Sequence, residues 1–478
     1  MHTSFHTFRG TIRPLALAAL SVAIVGALLA PGTASASAFQ LKENSAKGLG
    51  RAYAGSTTAG GDVSVVVNNP AAMTDLKGTY FQADMTAINF STKFTGTAHD
   101  ALGRPISGGN GGDGGTTLPV PALFFATQVS DRVHLCAGFS VPFGFQTEYD
   151  KTWVGRYNSL KSKFQSLDAT ISGSFDVTNT FSLGASIIAQ KTTAELTNAI
   201  NYNMVGLGLI QQAAAAGQIS LPMAQALSAQ VGAVVPPGSD GYARIYGDSW
   251  AYGWQLGAYW KLTQQDRLAF NYRAKISHTL HGTANFTVPD NVAALLSNPA
   301  VAPLLGGGTP FTHTDGTAGF TTPAVASLSY WHQAEKFGIG ADVAWTKWDV
   351  FKKLEVTYAN PAQPTSDQVF NWKNTWYASV GGDYYLNDKV TLRAGVAVDT
   401  TPTSSTYRDP RVPDESRTMT TVGIGYKASE HLEINASYAH IFVSKAQING
   451  VQSATADVLT GSFNDYGNLL SVSAQYKF

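Results

Sequence analysis

Leu470-Ser471-Val472-Ser473-Ala474-Gln475-Tyr476-Lys477-Phe478 is the stretch on which the fold is decided. Leu470, Val472, Ala474, Tyr476 and Phe478 share one parity, and Ser471, Ser473, Gln475 and Lys477 share the other. Successive side chains of a strand point to opposite faces, so this segment has a greasy side and a wet side. One such strand also suits a soluble sandwich. The alternation recurs, however. Leu268, Phe270, Tyr272, Ala274 and Ile276 interleave with Arg267, Asn271, Arg273 and Lys275, and Leu432, Ile434, Ala436 and Tyr438 interleave with His431, Glu433, Asn435 and Ser437. Leu392, Ala394, Val396 and Val398 share a parity around Arg393. Charge returns to one face each time, which in a transmembrane barrel is the lumen.

The connections alternate in length. Tight turns read at Ser130-Asp131-Arg132, Asn179-Thr180, Gln264-Gln265-Asp266, Glu335-Lys336, Asn387-Asp388 and Ser429-Glu430. Long irregular segments lie near 96–117, 149–166, 197–246, 287–320, 359–370, 401–417 and 447–463. Six short turns and seven long loops separate fourteen strands. An even count with all short turns on one side is a pattern of outer-membrane barrels. The expected fold is therefore all-β: an antiparallel transmembrane barrel over 78–478, with long external loops that include short helices.

Composition agrees. Only 13% of residues are charged, about half the usual share of a soluble protein, and the mean hydropathy is −0.04. Alternating strands average out in this way. A formal net charge of zero offers no electrostatic case for nucleic acid. The single cysteine, Cys136, excludes an internal disulfide. Arg9 and Arg13, the uncharged run Leu15 to Ala30 and Ala34-Ser35-Ala36 have the form of an export signal over 1–36, removed before Ser37. Residues 37–77 carry Gly48, Gly50, Gly55, Gly60 and Gly61 and then Asn68-Asn69-Pro70. That is too irregular for a strand, and a barrel of this size otherwise leaves an open lumen, so the segment is expected to be a plug.

Two external segments stand out. No Asp, Glu, Lys or Arg occurs from Leu196 to Ser239 or from Asn291 to Gly308. The first has Ser220 as a helix N-cap followed by Met223, Leu227 and Val231 at four-residue spacing. The second has Val292, Leu295, Leu296, Val301, Leu304 and Leu305. A groove between them that includes Met223, Leu227, Leu295 and Leu296 suits capture of a greasy molecule; mutual burial as a lid is the alternative. In the third strand, Val133 to Glu148, Pro142-Phe143-Gly144 predicts a bulge, because proline cannot donate to a ladder and glycine weakens one.

Several motifs resemble one family. Phe39-Gln40-Leu41, Gly48-Leu49-Gly50-Arg51-Ala52-Tyr53-Ala54-Gly55 and Asn69-Pro70-Ala71 resemble the N-terminal hatch of the FadL/TodX outer-membrane transporters. Trp153-Val154-Gly155-Arg156-Tyr157, Gly247-Asp248-Ser249-Trp250 and Tyr407-Arg408-Asp409-Pro410-Arg411-Val412-Pro413-Asp414 also fit. The hatch of that family often has paired aspartates where this chain has Gly61-Asp62. The resemblance implies a fourteen-stranded barrel in the outer membrane of a Gram-negative bacterium, and passive passage of long-chain fatty acids or aromatic hydrocarbons. It places Phe39 and Leu41 in the lining of an inner ligand site and Lys191 near a ligand head group, where the plain reading is a lumen ion pair. It makes Asn69, Pro70 and Ala71 a hatch gate and Pro142, Phe143 and Gly144 a lateral opening. The expected partners are a hydrophobic small molecule and outer-membrane lipid. A plugged barrel needs no second copy, so a monomer is expected.

No catalytic, cofactor or metal residue is assigned. The rival from another class is an outer-membrane lipid-modifying enzyme, but Gly-x-Ser-x-Gly and a Walker loop are both missing. His278 and His281, three apart on a strand, point to opposite faces. The purified protein is expected to give a β-type circular dichroism spectrum; a predominantly helical one would refute the barrel.

Overall fold

A computed structural model describes residues 38–58, 61–298, 301 and 308–478. The expected leader, 1–36, and Leu304 and Leu305 lie outside these residues. The ladder runs β1 (Thr79–His99), β2 (Thr117–Ser130), β3 (Val133–Glu148), β4 (Lys161–Asp176), β5 (Phe181–Asn201) and β6 (Asp240–Lys261). β7 follows in two pieces (Asp266–Arg273 and Ile276–Thr287), as do β8 (Thr314–Thr322 and Val325–Gln333), β9 (Phe337–Thr346 and Lys353–Tyr358) and β10 (Ser366–Val369 and Thr375–Tyr385). β11 (Val390–Asp399) and β12 (Arg417–Lys427) are continuous, β13 is again in two pieces (Leu432–Val443 and Ala446–Gln452), and β14 (Val458–Lys477) completes the set. Each strand pairs antiparallel with the next, and β14 pairs with β1 from Tyr80↔Lys477 to His99↔Val458. The ring is thus a closed fourteen-stranded antiparallel barrel.

The faces divide as alternation requires. Ile171, Ile187, Leu256, Phe270, Leu392 and Leu470 are exposed around the outside. Asp168, Gln190, Thr192, Ser329, Ser379 and Asn435 are buried within. Exposed aromatics mark both ends: Trp250, Tyr252, Trp376 and Phe442 toward the long loops, and Phe175, Trp260, Tyr476 and Phe478 toward the short turns. Tyrosine and tryptophan favour membrane interfaces because one part of each ring system is apolar and the other hydrogen-bonds.

The six tight turns fall where expected, but several strands reach further out. β5 runs to Asn201, β8 begins at Thr314 and β14 begins at Val458, all inside segments expected to be irregular. Above the hydrocarbon layer neither face needs to be apolar, so the alternation fades while the ladder continues. The long loop after β5 holds α1 (Tyr202–Ala215) and α2 (Leu221–Val234), and the loop after β7 holds α3 (Asp290–Leu296). The Ser220 hydroxyl accepts from Met223 N–H, as its N-cap position predicts.

Ahead of β1, residues 38–76 touch inward-facing groups on many sides of the ring. Ala46 N–H donates to Asp84 of β1 at 2.8 Å, and Ser437 of β13 donates to Ala46 C=O at 2.6 Å. Ser172 of β4 donates to Val66 C=O, Asn69 donates to Ala258 C=O of β6, and Ser56 donates to Asp342 of β9. Arg51, 1% exposed, pairs with Asp383 of β10 at 3.2 Å, and Arg393 of β11 reaches the same carboxylate at 3.3 Å. Lys47 pairs with Glu433 of β13 at 3.0 Å. Asp62, in place of paired aspartates, accepts from Ser45 and Gln82.

Gly381 and Gly395 let this segment come so close. A Cβ on either would overlap backbone atoms of Arg51. Gly381→Val is expected to leave the barrel intact but to push the 47–53 turn away, exposing it to protease. Equal protease resistance of variant and parent would show that the close approach does not hold the segment.

Candidate functional site

Several ladders are locally interrupted, and one interruption lies against the first described residues of the chain. β1 and β2 pair from Thr79↔Thr127 to Asn89↔Thr117. β2 and β3 pair only up to Leu123↔Phe139. Residues 117–122 of β2 therefore have a partner on one side and none in β3. Against β4, the register of β3 shifts between Ser140 and Phe143 by one extra residue, the bulge that Pro142-Phe143-Gly144 predicts. Glu148 N–H donates to Gly114 C=O, which joins the upper end of β3 to the loop after β1.

β2 has its own sign of this break, which the sequence reading overlooked. Phe90 N–H donates to Thr116 C=O, and Gln128 N–H donates to Gly78 C=O. Even-numbered residues at this register therefore bond toward β1, and odd ones point toward β3. Pro119 and Pro121 are odd. They remove two of the three N–H groups, those of 117, 119 and 121, that would otherwise aim at the missing partner. Proline inside a sheet is found where its N side faces no neighbour. The motif Leu118-Pro119-Val120-Pro121 was therefore a readable edge signal.

Residues 39–41 dock on the bulge from inside. Leu41 N–H donates to Pro142 C=O at 2.8 Å, and Gly144 N–H donates to Phe39 C=O at 3.0 Å. Phe39 is 4% exposed and sits among Phe143, Phe145, Phe164, Phe320, Trp348 and Trp372, with ring centroids 5.0–6.4 Å away. Aromatic pairs at such distances add to area burial. Beside this cluster lies a cavity of about 300 Å³. Phe39, Leu41, Ile88, Val141, Phe164 and Leu469 form much of its apolar wall, and Leu118, Pro119 and Val120 bring it to the break between β2 and β3.

Its polar groups are mixed in sign. Arg411 pairs with Asp409 at 2.9 Å and Arg417 with Asp399 at 3.0 Å. Lys163, on the outward parity of β4, has no ion-pair partner among the described residues. Asp414 accepts from Ala38 N–H at 3.1 Å and from the Thr401 hydroxyl at 2.6 Å. Burial raises the pKa of Asp414 to about 7 and outweighs the pull of Arg417. Burial also raises Glu43 and lowers Lys42.

The other expected residues are distributed as follows. The Asn69 side chain accepts from Ala71 N–H at 3.1 Å and donates to Thr57 C=O, while Pro70 opens a tight helical turn, Pro70–Asp75. Ala71 is fully buried, and Gly184 and Gly257 make room for this turn. Phe143 belongs to the aromatic cluster, Gly144 to the cavity wall, and Pro142 to a smaller polar chamber of about 100 Å³.

Lys191 is elsewhere. It lies opposite Trp250 on the outward parity of β5, pairs with Asp248 and approaches the Trp250 ring. Neither the cavity nor the lumen receives it, which corrects the head-group expectation and the lumen-pair reading alike. An arginine from the 401–416 loop, Arg411, lines the cavity instead. Leu227 and Leu295 are buried together with Val231, Val292 and Ile210, and Leu296 is partly buried against them. The helices thus cover each other's apolar faces rather than framing a groove at these residues, and Met223 stays exposed. His278 is buried and His281 exposed.

Folded Asp414 holds its proton up to about 7, whereas an unfolded chain releases it near about 3.9. Its contribution to stability is therefore present below the unfolded value and is lost as pH rises through about 7. Amide exchange at Ala38–Leu41, corrected for intrinsic rate, should accelerate between pH 4 and pH 8, and Asp414→Asn should flatten that slope. An unchanged slope in the variant would remove Asp414 as its source.

A family model described as outer membrane protein transport protein (OMPP1/FadL/TodX) matches residues 27–478. A putative outer membrane protein of Neisseria meningitidis serogroup B is 28% identical over 475 residues, covering 96% of this chain and 98% of the relative. The long-chain fatty acid transport protein of Escherichia coli K12 is 26% identical, covering 90% of this chain and 93% of the relative. The crystal structure of a Pseudomonas aeruginosa FadL homologue superposes with a TM-score of 0.83 at 30% identity, covering 92% of this chain and all of the homologue.

Proposed function

The chain belongs to the outer membrane protein transport family (OMPP1/FadL/TodX), and from that premise we propose that it carries long-chain fatty acids inward by diffusion through the cavity and out through the side of the wall. It is an outer-membrane transporter of hydrophobic compounds from a Gram-negative bacterium, and not an enzyme. The observation that carries the finer reading is the cavity of about 300 Å³ that meets the wall where the β2–β3 ladder stops.

Affinity comes from the chain of the ligand. Each CH₂ moved from water to an apolar surface gains about 0.8 kcal/mol, so a sixteen-carbon chain gains on the order of 10 kcal/mol gross. A carboxylate must not be left unpaired in such a place. Arg411 and Lys163, which lie on the cavity wall, are the proposed cations for it. Capture begins on the exposed apolar residues of α2, Leu221 and Met223. Leu227, Leu295 and Leu296 serve by holding the helices together.

Residues 37–77 act as the hatch. Asn69-Pro70-Ala71 fixes its lower turn, and Phe39 with Leu41 is its upper end, packed on the bulge. For a ligand to leave the cavity, the two hydrogen bonds from residues 39–41 to Pro142 and Gly144 must loosen. The exit then lies between β2 and β3, toward the outer-membrane lipid, and it bypasses the polar surface layer. No second copy is required.

The decisive variant straightens the wall: Val141 deleted, with Pro142→Thr, Gly144→Thr, Pro119→Val and Pro121→Val. Uptake of labelled palmitate by cells should fall at least ten-fold while the barrel keeps its heat-modifiable gel mobility. Unchanged uptake by a folded variant would end the lateral-exit reading. Mass spectrometry of molecules that copurify with the parent tests the ligand class, and hydrocarbons without acyl chains would replace the fatty-acid assignment.

A further inference from the structure

Most polar groups that line the cavity are already engaged. Glu43 accepts from Lys42 N–H, Asp414 from Ala38 and Thr401, and Gln40 from Thr346, while Arg411 and Arg417 hold Asp409 and Asp399. Asp465 differs. It is 4% exposed, lies on the inward parity of β14 and lines the cavity, yet neither carboxyl oxygen has a hydrogen-bond partner among the described residues. Thr92 stands opposite it in the β1–β14 register, fully buried, and its hydroxyl approaches the carboxyl without the geometry of a full hydrogen bond.

A buried carboxyl without partners costs free energy in either protonation state, and the cost disappears when a ligand supplies a donor. A simple fatty acid carboxylate has only acceptors and pairs only with the protonated form of Asp465, and an alkane has neither donor nor acceptor. A hydroxyl group both donates and accepts, so it pairs with Asp465 in either protonation state, and it is small enough to share a cavity with an acyl chain. Taking the cavity as the ligand chamber, we infer that among the long-chain lipophiles it admits it prefers those that also bear a hydroxyl group, which donates its hydrogen to Asp465. Asp465 is then a specificity-determining residue, while the apolar wall supplies affinity for the chain.

The test compares two probes on the detergent-solubilised full barrel, 1-hexadecanol and its methyl ether. The ether keeps the chain and the oxygen but has no donor. In alkaline buffer, where Asp465 is ionised and cannot donate to the ether, a hydrogen bond to the charged group implies a preference of about ten-fold or more for the alcohol. Asp465→Asn, nearly isosteric, and Asp465→Leu should both cut the preference to less than about three-fold while ether binding holds, which also reports an intact cavity. Equal binding of alcohol and ether by the parent, or a preference that survives Asp465→Leu, overturns the hydroxyl assignment. Failure of both probes to bind the parent overturns instead the reading of the cavity as the ligand chamber.

Discussion

A hydrocarbon layer offers no hydrogen-bond partners, so every backbone N–H and C=O that crosses it must be paired within the protein. The closed ladder from β1 to β14 and back to β1 is the answer to that constraint. It also explains why a local break is informative. Where β2 loses β3, residues 39–41 bond to Pro142 and Gly144, Gly114 bonds to Glu148, and two prolines remove donors from β2. The break is managed group by group, unlike a frayed end.

Inside the ring, polarity sorts the contents. The lower lumen is ionic: Arg51, Arg393, Lys47, Asp383 and Glu433 form one buried network across the N-terminal segment, β10, β11 and β13. Deleting one member of such a network leaves the others uncompensated, which typically costs about 3–5 kcal/mol. Near the bulge the contents turn aromatic around Phe39. One segment therefore has a middle, residues 45–58, 61 and 62, tied by charged groups, and an upper end tied by backbone bonds to Pro142 and Gly144, by Asp414 and Thr346, and by ring packing.

Much of the fold was legible in the sequence because alternation is enforced on both sides of the wall at once. Leu470 to Phe478 faces lipid and lumen in turn, and each tight turn is marked by residues such as Asn387-Asp388. The bulge at Pro142-Phe143-Gly144 was legible for the same reason, since proline and glycine break a known pattern. Lys191 was not. Its parity relative to Ile187 and Trp250 was available, but a family likeness gave the position of a cation without the face on which it stands. Leu227 and Leu295 carried an apolar helix pattern that suits a groove and a mutual core equally, and only packing separates the two. Arg411 and Asp465 line one cavity whose wall is assembled from remote strands and loops, which no local pattern encodes.

The prolines at 119 and 121 have a further consequence. Hydrogen bonds are what would pull two neighbouring strands together after a fluctuation, and these positions have no proton to offer. Closing the seam at these two positions would regain only the bonds from β3 donors to the carbonyls of 119 and 121, half of a normal ladder. Under the proposed lateral exit, a seam kept apart by absent atoms needs neither nucleotide hydrolysis nor a proton gradient, which suits a membrane that has no energised carrier of its own.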